Sequence, residues 1–126
     1  MSTDPILSVQ LDNGLTMKCI DQSRKIAADR WYICIWIEIV VSVDKKWFTH
    51  FFMDEKKYQK IRDLLGPSVV FKQKHERNFV SEGEKAQIIE TICQHASEMG
   101  RTYFCHADFP AKYILKCLHA KQTPFN

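Results

Sequence analysis

Several signatures of known chemistry are missing from this sequence. It has no CxxC pair, no glycine-rich phosphate loop, no nucleophile elbow and no HExxH helix, which removes the local motifs of the corresponding metal, phosphate and hydrolase sites. A long apolar run is missing too. The most apolar stretch, "WYICIWIEIVVSV", covers 13 residues and contains Glu38, short of the roughly 20 apolar residues of a membrane helix. The start, "MSTDPILSVQ", has neither the basic residues nor the apolar core of an export signal. No charge of one sign dominates: 18 basic and 15 acidic residues leave +3. That excess permits an anionic ligand without arguing for one, because nucleic-acid binders usually carry a stronger or more clustered one. There is no repeat or low-complexity segment. Five cysteines make an odd number, and with no export signal the expectation is reduced thiols and a cytoplasmic location.

What is present is an ordinary globular composition, 45% hydrophobic and 26% charged. A chain of 126 residues fits one domain, 1–126, and buries roughly two-thirds of the surface it exposes when unfolded. Only the short polar ends, Met1 to Asp4 and Gln122 to Asn126, are expected to lack order.

The stretch "ILSVQLDNGLTMKCI" reads as a β-hairpin. A two-residue turn at Asn13-Gly14 would set Leu11 opposite Thr16 and mix the faces. A three-residue loop, Asp12-Asn13-Gly14, sets Leu11 opposite Leu15, Val9 opposite Met17 and Leu7 opposite Cys19. It also gives Gly14 the left-handed position such loops require. The polar "DQSRKIAADR" is longer than a tight turn and reads as an excursion at the sheet edge or a short helical turn. "RWYICIWIEIVVSVD" is the strongest strand. Its alternation puts Trp31, Ile33, Ile35, Ile37, Ile39, Val41 and Val43 on one wholly apolar face. Tyr32, Cys34, Trp36, Glu38, Val40 and Ser42 fall on an amphipathic one.

"KKWFTHFFMD" is an aromatic connector. Asp54 then caps a helix to about Leu65, with Tyr58, Ile61, Leu64 and Leu65 as its apolar stripe and Gly66-Pro67 as its stop. "SVVFKQK" is a strand with Val69 and Phe71 inward. Ser81 to Glu84 reads as a capping box, opening a helix that runs to Met99 and stops at Gly100. "RTYFCHA" is a short strand. "DFPAKYILKCLHAK" is a final helix, with Asp108 as cap and Pro110 in the first turn. The order β-β-β-α-β-α-β-α predicts an α+β fold: an antiparallel sheet, N-terminal meander plus later strands, with about three helices mainly on one face.

Two clusters stand out as candidate sites. The first lies within "FKQKHERNF": Lys72, Lys74, His75 and Arg77 could receive an anion, Arg77 through its planar fork just before a helix N-terminus. Against this, Glu76, Glu82 and Glu84 repel a phosphate, and exposed lysines on a strand are commonly a wet face that discourages edge pairing. Lys72 and Lys74 are therefore expected to face solvent, with the run serving as strand and helix lead-in. The second cluster is aromatic: Tyr32 and Trp36 on the strand, and Trp47, Phe48, Phe51 and Phe52 in the connector. It is either core or an interaction surface.

Cysteine and histidine lie near each other at Cys93/His95, Cys105/His106 and Cys117/His119, but the spacings turn the members of each pair apart, so no metal is expected. Cys105 with His106, Asp108 and His75 or His50 would make a catalytic thiol only if the fold assembled them. No catalytic residue and no cofactor is assigned. The leading reading is a non-catalytic binding or protein-interaction module, with a homodimer or another protein as partner and no membrane. The alternative is a nucleic-acid or other anionic-ligand binder using Arg24, Lys25, Arg30, Lys72, Lys74 and Arg77. The third is an enzyme of unknown reaction.

Overall fold

The computed structural model describes residues 4–49, 51 and 53–122; residues 1–3 and 123–126, His50 and Phe52 lie outside them. Strands β1 (Leu7–Gln10) and β2 (Thr16–Asp21) form the first hairpin, in the register Leu7↔Cys19 and Val9↔Met17. The Leu11 N–H donates to the Leu15 carbonyl at 2.8 Å, and Gly14 takes φ +92°. This is the register expected from the apolar pairs, and it leaves Met17 and Cys19 without solvent exposure. Asn13 ties the loop down: its side-chain amide donates to the carbonyls of Phe104 (2.8 Å) and His106 (3.1 Å).

The polar segment that follows lies at the sheet edge, one of the two readings, and is not a helical turn. It is strand β3 (Arg24–Ala27), antiparallel to the start of β4 (Arg30–Ser42) through Arg24↔Tyr32 and Lys25↔Trp31. All of β3 is exposed, so no apolar alternation could announce it; backbone pairing makes it a strand.

Strand β4 organises the sheet. Along one edge it pairs with β5 (Ser68–Ser81), from Ser42↔Ser68 to Arg30↔Ser81. With that edge filled, β2 and β3 share the other, one after the other. Ile33, Ile35, Ile37, Ile39 and Val41 have no exposed surface, as the alternation of β4 requires. The charged run 72–77 is thus strand throughout, with His75 opposite Ile35 and Arg77 opposite Ile33, and not a lead-in to the next helix. Near its end β5 holds one extra residue opposite Tyr32. Phe79 there has φ +55°, a left-handed conformation that costs a side-chain-bearing residue about 1–2 kcal/mol.

Helix α1 (Glu55–Leu65) is capped by Asp54, which accepts from the Lys57 N–H at 2.7 Å; such a cap contributes about 1 kcal/mol. Gly66 ends it at φ +82°. Helix α2 (Lys85–Met99) begins later than expected. Ser81 belongs to β5, and its hydroxyl donates to the Glu84 carboxylate at 2.8 Å instead of capping the helix. The strand expected at "RTYFCHA" is absent. The chain continues from α2 through a π-helical turn (Gly100–Phe104) into α3 (Phe109–Gln122). Packing overrides β-propensity here. A Cβ on Gly100 would lie 3.2 Å from Leu11 Cδ2 and Met17 Cε, and Phe104 is buried with its ring 5.0 Å from that of Phe71 and 5.3 Å from that of Phe109.

Helix α2 lies against β4 and β5, α3 against β5, and α1 against α3. Ile61, Ile92, Ala96 and Ile114 join the isoleucine face of β4 in one core. The fold is α+β, with an antiparallel sheet and its helices gathered on one face. No disulfide links the five cysteines. Among the described residues, no helix is long and apolar enough to cross a membrane.

Candidate functional site

Register divides the charged run. Lys72, Lys74 and Glu76 stand opposite Glu38, Trp36 and Cys34, on the face away from the helices; His75 and Arg77 stand opposite Ile35 and Ile33, on the helix-bearing face. Lys72, Lys74, His75 and Arg77 therefore do not form one anion site. His75 is half-buried, its Nε2 3.0 Å from Gln73 Oε1 and its ring 6.3 Å from His95. Burial first, then His95 and Arg77, lower its pKa below the ordinary 6.5. Arg77 donates to the neighbouring Glu76 carbonyl at 2.7 Å, and α2 does not begin until Lys85.

The aromatic set divides as well. Phe48 is buried and meets Phe51 edge-on at 6.3 Å. Trp47 is half-buried and donates its indole N–H to the Ser42 carbonyl at 2.9 Å. These connector rings close the core below β4 rather than forming a surface. Tyr32 and Trp36 alone of the described candidates lie on the other face.

That face is open. Its middle column is Tyr32, Cys34, Trp36, Glu38 and Val40 on β4. One flank carries Lys18 and Ile20 from β2 and Arg24 from β3, and the other Val70, Lys72, Lys74 and Glu76 from β5. Three cross-strand rows result: Lys18–Glu38–Lys72, Ile20–Trp36–Lys74 and Arg24–Tyr32. The ammonium groups of Lys72 and Lys74 lie 5.7 and 5.6 Å from the centre of the Trp36 ring. The Arg24 guanidinium lies 5.2 Å from that of Tyr32. Exposed cation–π contacts of this kind contribute about 0.5–1 kcal/mol each. Gln22, Arg24, Tyr32, Cys34, Trp36 and Lys74 line a shallow depression between the two rings.

Both carboxylates of the face are engaged. Glu38 pairs with Lys72 at 3.7 Å and sits in register with Lys18. Glu76 lies 3.5 Å from Lys74 and accepts the Tyr32 hydroxyl. That hydrogen bond holds the Glu76 pKa below its ordinary value and raises that of Tyr32. Solvent-exposed ion pairs are worth only about 0–1 kcal/mol, so the lysines are free to leave them. Lys18, Arg24, Lys72 and Lys74 stand against Glu38 and Glu76, and the face is cationic.

The sequence missed Lys18, whose place on the face depends on the β2–β4 register. Of the other basic residues considered, Lys25 stands opposite Trp31 on the helix-bearing side and Arg30 pairs with Asp29 at 3.3 Å. Cys34 is buried within this face, and three other thiols are engaged elsewhere. Burial raises Cys19 to about 12 and also raises its neighbour Cys93, while Cys105 donates to the Arg101 carbonyl at 2.9 Å. With their pKa values raised, neither Cys19 nor Cys93 suits nucleophilic chemistry, which needs the thiolate. Among the described residues, no three His, Cys, Asp or Glu side chains come together as a metal site would require. No family model, curated protein or solved structure matches this chain.

Proposed function

We propose that this protein is a non-catalytic binding module that holds an anionic partner on the open face of its sheet. One observation carries the reading. A sheet face that no described helix covers presents the half-buried Trp36 beside two lysines of β5, with Lys18 and Arg24 on the opposite flank. Charge in that setting attracts a polyanion over a distance of about a Debye length, roughly 10 Å at 0.1 M salt. The lack of convergence among the cysteines and histidines favours binding over catalysis.

The test is retention on immobilised heparin. The parent protein should elute at higher salt than the Lys72→Ala/Lys74→Ala variant. Equal elution of both, or no retention of the parent, ends the reading.

A second reading, self-association, draws on another observation. Among the described residues, β5 pairs with β4 alone along its whole length, and a long free edge is a template for a second copy. Sedimentation equilibrium of the parent against a variant with proline at Lys74 distinguishes a dimer from a monomer.

A further inference from the structure

We infer that the anionic partner is a single-stranded nucleic acid whose bases stack on Trp36 and Tyr32; this rests on the proposed function above and names its ligand class. The aromatic side chains belong to the middle strand, β4, and the cations stand to either side: Lys18 and Arg24 on one flank, Lys72 and Lys74 on the other. A simple polyanion requires the cations alone. A partner that alternates planar apolar rings with anionic linkers matches both components, and single strands are held by grooves in which bases stack on aromatics while the backbone tracks positive charge.

Spacing supports the same class. Tyr32 and Trp36 are four residues apart on one strand and share a face, so they lie about 13 Å apart along it. That is a span for a short strand of several nucleotides, not for one mononucleotide. The depression between the rings, lined by Arg24 and Lys74 as well as by both aromatics, lies where the connecting backbone would pass. The long side chains that now rest on the rings can swing off them to meet phosphates, leaving the ring faces to bases. Double-stranded nucleic acid fits less well, because its bases are already stacked on one another and offer no free ring faces to Tyr32 and Trp36.

The acidic residues shape the reading. Glu38 and Glu76 both repel phosphate, and each already has cationic or hydroxyl partners. They leave Lys18 and Arg24 as the surplus charge and place the favoured backbone track on the β2–β3 side. An acidic peptide would use the same lysines but would gain less from the half-buried rings of Tyr32 and Trp36.

The experiment compares three probes on the full chain at low and moderate salt: a short oligothymidylate, the same oligonucleotide without bases, and polyglutamate. Binding of oligothymidylate should quench the fluorescence that is lost on Trp36→Phe substitution. Trp36→Ala should weaken oligothymidylate about tenfold, the lower part of the range for loss of one stacked base, and leave the base-free strand unchanged. Trp36→Phe should retain most of the affinity, and circular dichroism of each variant verifies the fold. Lys72→Ala/Lys74→Ala should weaken every polyanion and flatten the salt dependence. If the base-free strand or polyglutamate binds as tightly as oligothymidylate, the nucleic-acid inference falls and the anionic-partner reading stands. If none of the three binds, both fall.

Discussion

The two faces of the sheet share every strand and differ in what each residue rests against. On the helix side, Ile33, Ile35, Ile37 and Ile39 are enclosed by branched and aromatic side chains from all three helices. Each position is set by volume, and a lost methylene leaves a void. On the open side, Lys72, Lys74, Trp36, Glu38 and Arg24 interact through long side chains across ion pairs and ring contacts. Each contact there is weak and exchangeable. One sheet thus separates two kinds of surface: a covered face whose packing cannot rearrange, and an uncovered one whose contacts can, where the proposed binding would take place.

The sharpest way to break this contrast is Ile37→Ala. Ile37 is fully buried at the centre of β4, and its truncation should lower unfolding free energy in denaturant titration by about 2–5 kcal/mol. A loss below about 1 kcal/mol, typical of surface positions, would mean that the covered face is not the source of stability. A smaller effect of opposite sign is expected at the bulge. Phe79 is 72% exposed with φ +55°, so Phe79→Gly gives up little burial and relieves the left-handed strain. Stability should rise by about 1 kcal/mol; a decrease would show that the ring makes contacts worth more than the strain.

The Lys72→Ala/Lys74→Ala pair sharpens the contrast from the other side. Its unfolding free energy should change by no more than about 0.5 kcal/mol, while polyanion binding is weakened. A large loss of stability would tie the two faces together. The smallest effect concerns His75, whose folded pKa lies below 6.5 chiefly through burial. Between that lowered pKa and 6.5 the unfolded chain binds more protons than the folded one, so stability rises with pH across this window and falls as pH drops through it. His75→Gln should flatten this slope in urea titrations at a series of pH values. An unchanged slope would assign the acid sensitivity to other groups.

Much of the covered face was legible in the sequence, because apolar side chains must pair with apolar ones. Leu7, Val9 and Leu11 selected the hairpin register, the alternation from Trp31 to Val43 named the buried column, and Asp54 marked a helix start. Where burial is not the determinant, the sequence was mute. Strand β3 has no inward residue, and the polar part of β5 is strand because β4 offers it an edge. "RTYFCHA" has strand-forming residues, but Phe104 is drawn into the core and the chain stays helical. The open face was half legible for the same reason. Tyr32 and Trp36 followed from alternation within β4, whereas Lys18 and the separation of Lys74 from His75 required the register between strands.

Strand β4 has a further consequence before the fold is complete. Its partners on one edge precede it in the chain, but β5 follows only after α1. Until β5 and the helices arrive, the long isoleucine-rich strand is uncovered on one edge and on its most apolar face. Such a segment, β-prone and poor in charge, is a hazard for association between nascent chains. Glu38 is the single charged residue between Arg30 and Asp44. Its carboxylate puts a charge into any strand stack that copies of β4 begin, the position of a gatekeeper.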